Sequence, residues 1–248
     1  MNQSFYIGAI GAQQQQLRLN VHSNNLANLN TYGYKTEKPR FQSLIYDDIK
    51  AIGEEMLPSG TGMRLSNTDT DFSGGAMAAT GRAQDYAIEG DGFFALADLK
   101  TGEISLTRNG AFTMASLRRA GEGTAENGDP VMEEIFYLSD GNGRFVLGKT
   151  GGMIEMTDAN EKQEIGVFDY INYNGRQHID GTRFLAVDKN GGLSMSDSKV
   201  LNGMLEASNA DMAEEMTKII EAQRAYSMAL KMVQTSDEVE TTINNLRG

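Results

Sequence analysis

Toward the C-terminus, apolar side chains recur in alternating steps of four and three: Met212, Met216, Ile219, Gln223, Tyr226, Leu230 and Val233, with one polar member. A second stripe, Ala222, Ala225, Ala229, Met232, Ser236, Val239, Ile243 and Leu246, keeps the same rhythm beside it. This spacing returns each stripe to one helical face every two turns and is the spacing of a coiled coil. Neither glycine nor proline interrupts residues 204–247. Ser208-Asn209-Ala210-Asp211 has the form of a capping box, and Asp211, Glu214 and Glu215 place negative charge where the helix dipole favours it. Glu214 and Lys218 add an i,i+4 pair. A continuous helix over 209–247 is about 58 Å long at 1.5 Å per residue. That exceeds the width of a domain of this size, so part of it is expected to project beyond its own core.

The N-terminal pattern is weaker. Tyr6, Ile10, Leu17 and Val21 share a helical face, Gln13 or Gln14 fills the missing step, and Asn24 and Asn28 continue it. Gly8 and Gly11 loosen the start. A seam of glutamine and asparagine packs poorly alone, so this helix is expected to pair with the C-terminal one. Between the two, the pattern changes to short β-like runs broken by glycine beside aspartate or asparagine, as in "YAIEGDGFFALAD" and "EIFYLSDGNGRFVLG". Asn109-Gly110 within "ISLTRNGAFTM" reads as a hairpin turn between two strands. Residues 118–130, "RRAGEGTAENGDP", read as a flexible exposed loop. The expectation is an α+β chain. A discontinuous helical domain, 1–35 with 204–248, pairs as a coiled coil, and 36–203 form a central, mainly antiparallel β domain. The alternative is two amphipathic helices docked on a single globular core.

Composition narrows the chemistry. Over 248 residues the net charge is -12, which repels phosphate backbones and anionic lipid, so nucleic acid is not an expected partner. No run of about 18 apolar residues occurs, so membrane insertion is not expected. The chain has no cysteine, and its two histidines, His22 and His178, lack ligand spacing and read as surface residues. "GRFVLGKT" at 143–150 matches G-x-x-x-x-G-K-[ST]. Its variable positions nevertheless read as strand, and Gly151-Gly152 follow where a phosphate-facing helix should begin. It is read as a strand ending in a glycine turn, and "FLAVD" at 184–188 as a strand leading to a turn. Asp140 to Arg144, "DGNGR", is read as a turn, since a calcium loop needs further acids at regular spacing. No catalytic residue, metal site or cofactor is assigned.

At "SNNLANLNTYGYKTEKPRFQSLIYDDI" the chain resembles the bacterial flagellar rod and hook family. Asn24, Asn25, Leu26, Ala27, Asn28, Asn30, Thr31, Gly33, Tyr34 and Lys35 occupy the motif that ends the family's N-terminal helix. "GTGMRL", "AIEGDGFF" and "LTRNGAF" follow in order, and "GMLEASNADMAEEMTKIIEAQRAYSMALKMVQTSDEV" looks like the family's C-terminal helix. The resemblance implies export through the flagellar type III apparatus to the cell envelope. There the chain would polymerise with itself and with other rod or hook subunits into the basal-body rod, the shaft that transmits torque. On that reading the assembly interface falls to Ile10, Leu17, Val21, Asn24, Asn25, Asn28, Met212, Met216, Ile219, Tyr226, Leu230, Val233, Val239 and Ile243. The three asparagines either cap or cross-link neighbouring helices, or mark a polar helix end before a turn. Residues 117–134 match no family feature and read as an insertion, and the chain length favours rod over hook. Two other classes compete: a nucleotide-dependent enzyme resting on "GRFVLGKT", and a secreted or surface binding module whose helices tether a β ligand domain.

Overall fold

The computed structural model describes residues 3–50, 56–124, 130–158, 162–170, 172, 177–185 and 191–247. The fold is α+β, with a helix near each end and antiparallel strands between them. Two compact units form, each assembled from separated pieces of chain. The first comprises Met1–Leu29, Thr36–Phe72 and Ala210–Gly248, the second Asn30–Lys35 and Ser73–Asn209. Thr36–Phe72, expected in the β domain, therefore groups with the helices, because its strands pack on the N-terminal helix.

In the first unit, α1 (Gln3–Ala27) and α2 (Met212–Arg247) run antiparallel. Gly8 lies against Val233, Gly11 against Ala229, Arg18 against Glu221 and His22 against Glu215. The positions turned inward on α1 are Gly8, Ala12, His22 and Asn25, with Gln15 and Leu19 half-buried between them. On α2 they are Glu215, Ala222 and Ser236, with Ala229 half-buried, one every seventh residue. The helices thus meet through small and polar side chains. Glycine at position 8 permits the approach, since a Cβ there would stand 3.0 Å from Val233 Cγ2.

Asp211 caps α2, its Oδ1 accepting the N–H groups of Ala213 at 2.8 Å and Glu214 at 3.0 Å. The cap therefore falls three residues after the expected serine, because Asn209 is held elsewhere: its N–H donates to Tyr34 O and its side-chain amide to Ser73. At 36 residues, α2 is about 54 Å long. Beside α1 the chain forms a ribbon: Glu37–Ser43 pairs with Met63–Thr70, and Tyr46–Lys50 with Met56–Gly60. Two side chains fasten α1 to it. Gln14 Oε1 accepts Leu65 N–H at 2.6 Å, and Asn25 meets the Glu37 backbone twice.

The second unit is built on antiparallel strands. A continuous path runs Glu155–Met156, Pro130–Ser139, Arg144–Val146, Phe93–Asp98, Ile104–Thr107, Arg183–Leu185, Gln177–Asp180. Its core gathers Tyr86, Ile88, Phe94, Leu96, Phe112, Leu138, Val146, Ile154, Met156, Ile165 and Val167, with Phe94 and Phe112 edge to face at 5.3 Å. Two expectations fail here. Residues 118–124 are strand, since Thr113–Thr124 pairs with Pro130–Ser139 from Thr113↔Ser139 to Thr124↔Pro130. Backbone pairing needs no side-chain period, so the pattern had nothing to reveal; residues 125–129 lie outside the described residues.

Asn109-Gly110 is likewise a connector between strands that pair elsewhere: Ile104–Thr107 with Phe93–Asp98 and Arg183–Leu185, Thr113–Thr124 with Pro130–Ser139. Asn109 Oδ1 accepts Ala111 N–H at 3.1 Å, and Gly110 O accepts Tyr86 N–H at 3.0 Å, so the Asn-Gly pair turns the chain without folding it back on itself.

"GRFVLGKT" forms the strand Arg144–Val146 and then a turn in which Gly151 N–H donates to Gly148 O, as its composition indicated. Lys149 pairs with the exposed Glu164 at 3.2 Å. In "DGNGR" the Asp140 carboxylate accepts Asn142 N–H, closing a turn. Within "FLAVD", residues 186–188 lie outside the described residues. His22 is buried rather than superficial, because Glu215 supplies a partner that sequence spacing could not show. His178 is half-buried edge-on to Phe184, with ring centroids 4.4 Å apart. Among the described residues no three His, Cys, Asp or Glu side chains cluster as metal ligands, and no helix is long and apolar enough to cross a membrane.

Candidate assembly surface

The helix pair spends its small and polar residues inward and leaves much of its apolar surface outward. Met212, Met216, Leu230, Val239 and Ile243 are exposed on α2, and Leu17 on α1. Ile219, Tyr226 and Val233 are half-buried, as are Ile10, Val21 and Asn28. Ile220 and Met228, which lie outside both stripes, are also exposed, as are Met232 and Leu246 of the second stripe. The exposed apolar residues of α2 fall on two sides of the helix, Met212, Met216 and Leu230 on one and Val239 and Ile243 on the other. Every residue of α2 from 237 to 246 is exposed.

The asparagines of the helix-end motif separate. Asn25 has no exposed surface: its Nδ2 donates to Glu37 O at 2.8 Å and its Oδ1 accepts Glu37 N–H at 3.0 Å. This mimics one rung of a β-ladder and fixes where the first strand leaves the helix. A side chain so enclosed offers nothing to another subunit, so Asn25 departs from the expected interface. Asn28 donates to Asn24 O at 2.9 Å and to Asn24 Oδ1 at 3.2 Å, closing the end of α1. Asn24 is exposed.

Charge is placed with care on the same unit. His22 Nδ1 donates to Glu215 Oε2 at 2.7 Å within the helix seam, and Lys218 Nζ stands 3.6 Å from the other oxygen of Glu215. The hydrogen bond from Lys218, with its positive charge, holds the Glu214 carboxyl below the usual carboxylate range. Asp71, at 2.6 Å, raises the Lys38 ammonium above the usual lysine value by its hydrogen bond and charge, with Glu214 and Glu215 adding to the field.

A second constellation lies inside the second unit and was not foreseen as a site, although its residues sit in the quoted motifs. Glu206 is buried and its Oε1 accepts Lys35 Nζ at 2.6 Å and Gly75 N–H at 2.9 Å. Its Oε2 takes Arg108 Nη1 at 3.2 Å. Lys35 also donates to Ser73 O at 2.6 Å; Arg108 donates to Gly90 O at 2.8 Å and lies over the Phe93 ring. The Glu206 carbonyl accepts Gly33 N–H at 2.7 Å. Gly33 has φ +70°, and a Cβ there would collide with Asn109 N at 2.3 Å, so only glycine fits. Buried charges survive only when paired and hydrogen-bonded. The cluster therefore ties together the stretches 33–35, 73–75 and 206, each within a few residues of a point where the chain passes into or out of this unit. The only sequence signal was three charged residues inside otherwise apolar or turn-forming motifs.

Known proteins bear on both surfaces. Residues 5–35 match the family described as flagella basal body rod protein, and residues 201–246 match the flagellar basal body rod FlgEFG protein C-terminal family. These segments carry the two helices together with Gly33, Lys35 and Glu206 of the cluster. Over the whole chain, similar proteins include the flagellar basal-body rod protein FlgG of Buchnera aphidicola subsp. Schizaphis graminum, 30% identical across 98% of this chain and 99% of the relative. FlgG of Borreliella burgdorferi is 30% identical over 100% and 99% of the two chains, and FlgG of Bacillus subtilis 29% over 100% of both. Matched end to end by these relatives and at both helices by the family descriptions, the chain belongs to the bacterial flagellar basal-body rod protein family.

Proposed function

We infer that this chain is a structural subunit of the bacterial flagellar basal-body rod, and that it polymerises through the outward faces of α1 and α2. The observation that carries the reading is the division of labour on the helices. Their inner seam is closed by Gly8, Ala12, His22, Glu215 and Ala222, while Met212, Met216, Leu230, Val239 and Ile243 remain outside. A repeated contact between unlike patches that does not close on itself builds a helical filament, the form a shaft requires. The seven-residue spacing of the inner seam supports a coiled-coil pairing of the helices. The partners are further copies of this chain and neighbouring rod or hook subunits, reached after export through the flagellar apparatus. The names of the relatives favour the FlgG type of rod subunit.

The test is replacement of Met216 and Leu230 together by aspartate, introduced into cells lacking the native subunit. The expected result is loss of motility and of rods in isolated basal bodies, while the purified variant keeps the circular dichroism of the parent. Full motility with both aspartates present would sink the assignment of these faces.

A further inference from the structure

Resting on that reading of the outer helix faces, we propose that the exposed methionines of α2, Met212, Met216, Met228 and Met232, are oxidation sites, and that their sulfoxides hold the free subunit out of the polymer. The chain has 14 methionines and neither cysteine nor tryptophan, so thioethers are its most readily oxidised side chains. The four form two i,i+4 pairs, Met212 with Met216 and Met228 with Met232, which lie on different sides of the helix. They are 54%, 45%, 70% and 54% exposed, whereas Met156 in the sheet core is 3% exposed. Four of the nine large apolar side chains that α2 leaves exposed are methionine. Flexible thioethers suit a surface that must fit neighbours of different shape, and they make the same surface vulnerable.

The chemistry needs only a peroxide. The sulfur lone pair attacks one oxygen of hydrogen peroxide, an S–O bond forms and the O–O bond breaks. The departing hydroxide takes the remaining proton and leaves as water. Sulfur loses two electrons and peroxide gains them. Two thiols reverse the change, becoming a disulfide and releasing water as the sulfoxide returns to thioether. The sulfoxide is polar, so docking must then desolvate a strong acceptor where an apolar contact stood before. Subunits already docked would have these sulfurs covered, which restricts the effect to chains not yet assembled.

Purified full-length chain would be treated with hydrogen peroxide, mapped by peptide mass spectrometry and tested for self-assembly by sedimentation, beside a variant with leucine at all four positions. Sulfoxide is expected at the four sites before Met156, and the critical concentration of the treated wild type should rise roughly tenfold or more, reversed by methionine sulfoxide reductases. The four-leucine variant should assemble alike with and without peroxide, which separates these sites from the chain's other methionines. Treated wild type that carries all four sulfoxides yet assembles at the untreated concentration overturns the proposal and leaves the rod reading intact. So does equal loss of assembly by the treated leucine variant. Untreated wild type that never assembles counts against the polymerising faces themselves, and the oxidation proposal falls with them.

Discussion

Glu206 answers to two cations at once: Lys35 and Arg108 are both buried and both donate to its carboxylate. Breaking a buried pair by removing one partner is costly because the other charge stays behind, typically by 3–5 kcal/mol. Glu206→Gln strands two cations, so unfolding in urea should show a loss of about 3–5 kcal/mol. The chain has nine tyrosines and no tryptophan, so tyrosine fluorescence is the natural probe. Lys35→Met should cost less, because Glu206 keeps Arg108 and the Gly75 N–H. Equal losses would mean that packing, not charge balance, governs the site. In the other unit, Asn25→Ala leaves the Glu37 N–H and C=O without the amide that served both, and about 1–3 kcal/mol should be lost there. Asn25 and Lys35 both belong to the helix-end motif, yet they serve separate units, one fastening a strand to α1 and the other a crossing of the chain.

The helix pair turns on size rather than on hydrophobicity. Gly8→Leu adds a side chain where even a Cβ already meets Val233 at 3.0 Å, so it should splay α1 from α2 and lower the melting temperature of helical circular dichroism. Leu230→Asp, on an exposed position, should leave that melt nearly unchanged while blocking assembly. Asp211→Ala removes the α2 cap and should cost about 1 kcal/mol.

These contrasts mark what a sequence can tell. Alternating threes and fours announced both helices and put Ala222, Ala229 and Ser236, which α2 turns inward, on one stripe, although Met232, Val239, Ile243 and Leu246 of that stripe are exposed. Periodicity, however, identifies faces without saying which face meets which partner. The apolar stripe drew attention first, whereas the intramolecular seam needs small residues because backbones must approach, and Gly8 carried no hydrophobic signal. Strand pairing between residues 113–124 and 130–139 was invisible for a related reason: its hydrogen bonds belong to the backbone. The Asn109-Gly110 turn was legible as a turn, but the partners of its flanking strands are set by distant segments.

A charge of -12 on each copy has its consequence at the scale of the whole molecule. Polymerisation brings like-charged chains together, and self-repulsion opposes every docking event, whatever the apolar faces contribute. That repulsion acts over distances set by salt: the Debye length is about 30 Å at 0.01 M and about 10 Å at 0.1 M ionic strength. Apolar contacts between Met216, Leu230 and their neighbours are not screened in this way. Raising sodium chloride from low to physiological strength should therefore lower the critical concentration for assembly of the purified chain. Its folding, held by the buried core and the enclosed Glu206 cluster, should change little over the same range, because buried pairs are screened far less than exposed ones. Sedimentation across a salt series, with a urea melt at each point, separates the two. Assembly that weakens as salt rises would show that attractive ion pairs between subunits, such as one reaching Arg224 or Lys231 on α2, outweigh both the net repulsion and the apolar stripes. The helix faces would then be electrostatic docking surfaces with methionine as filler.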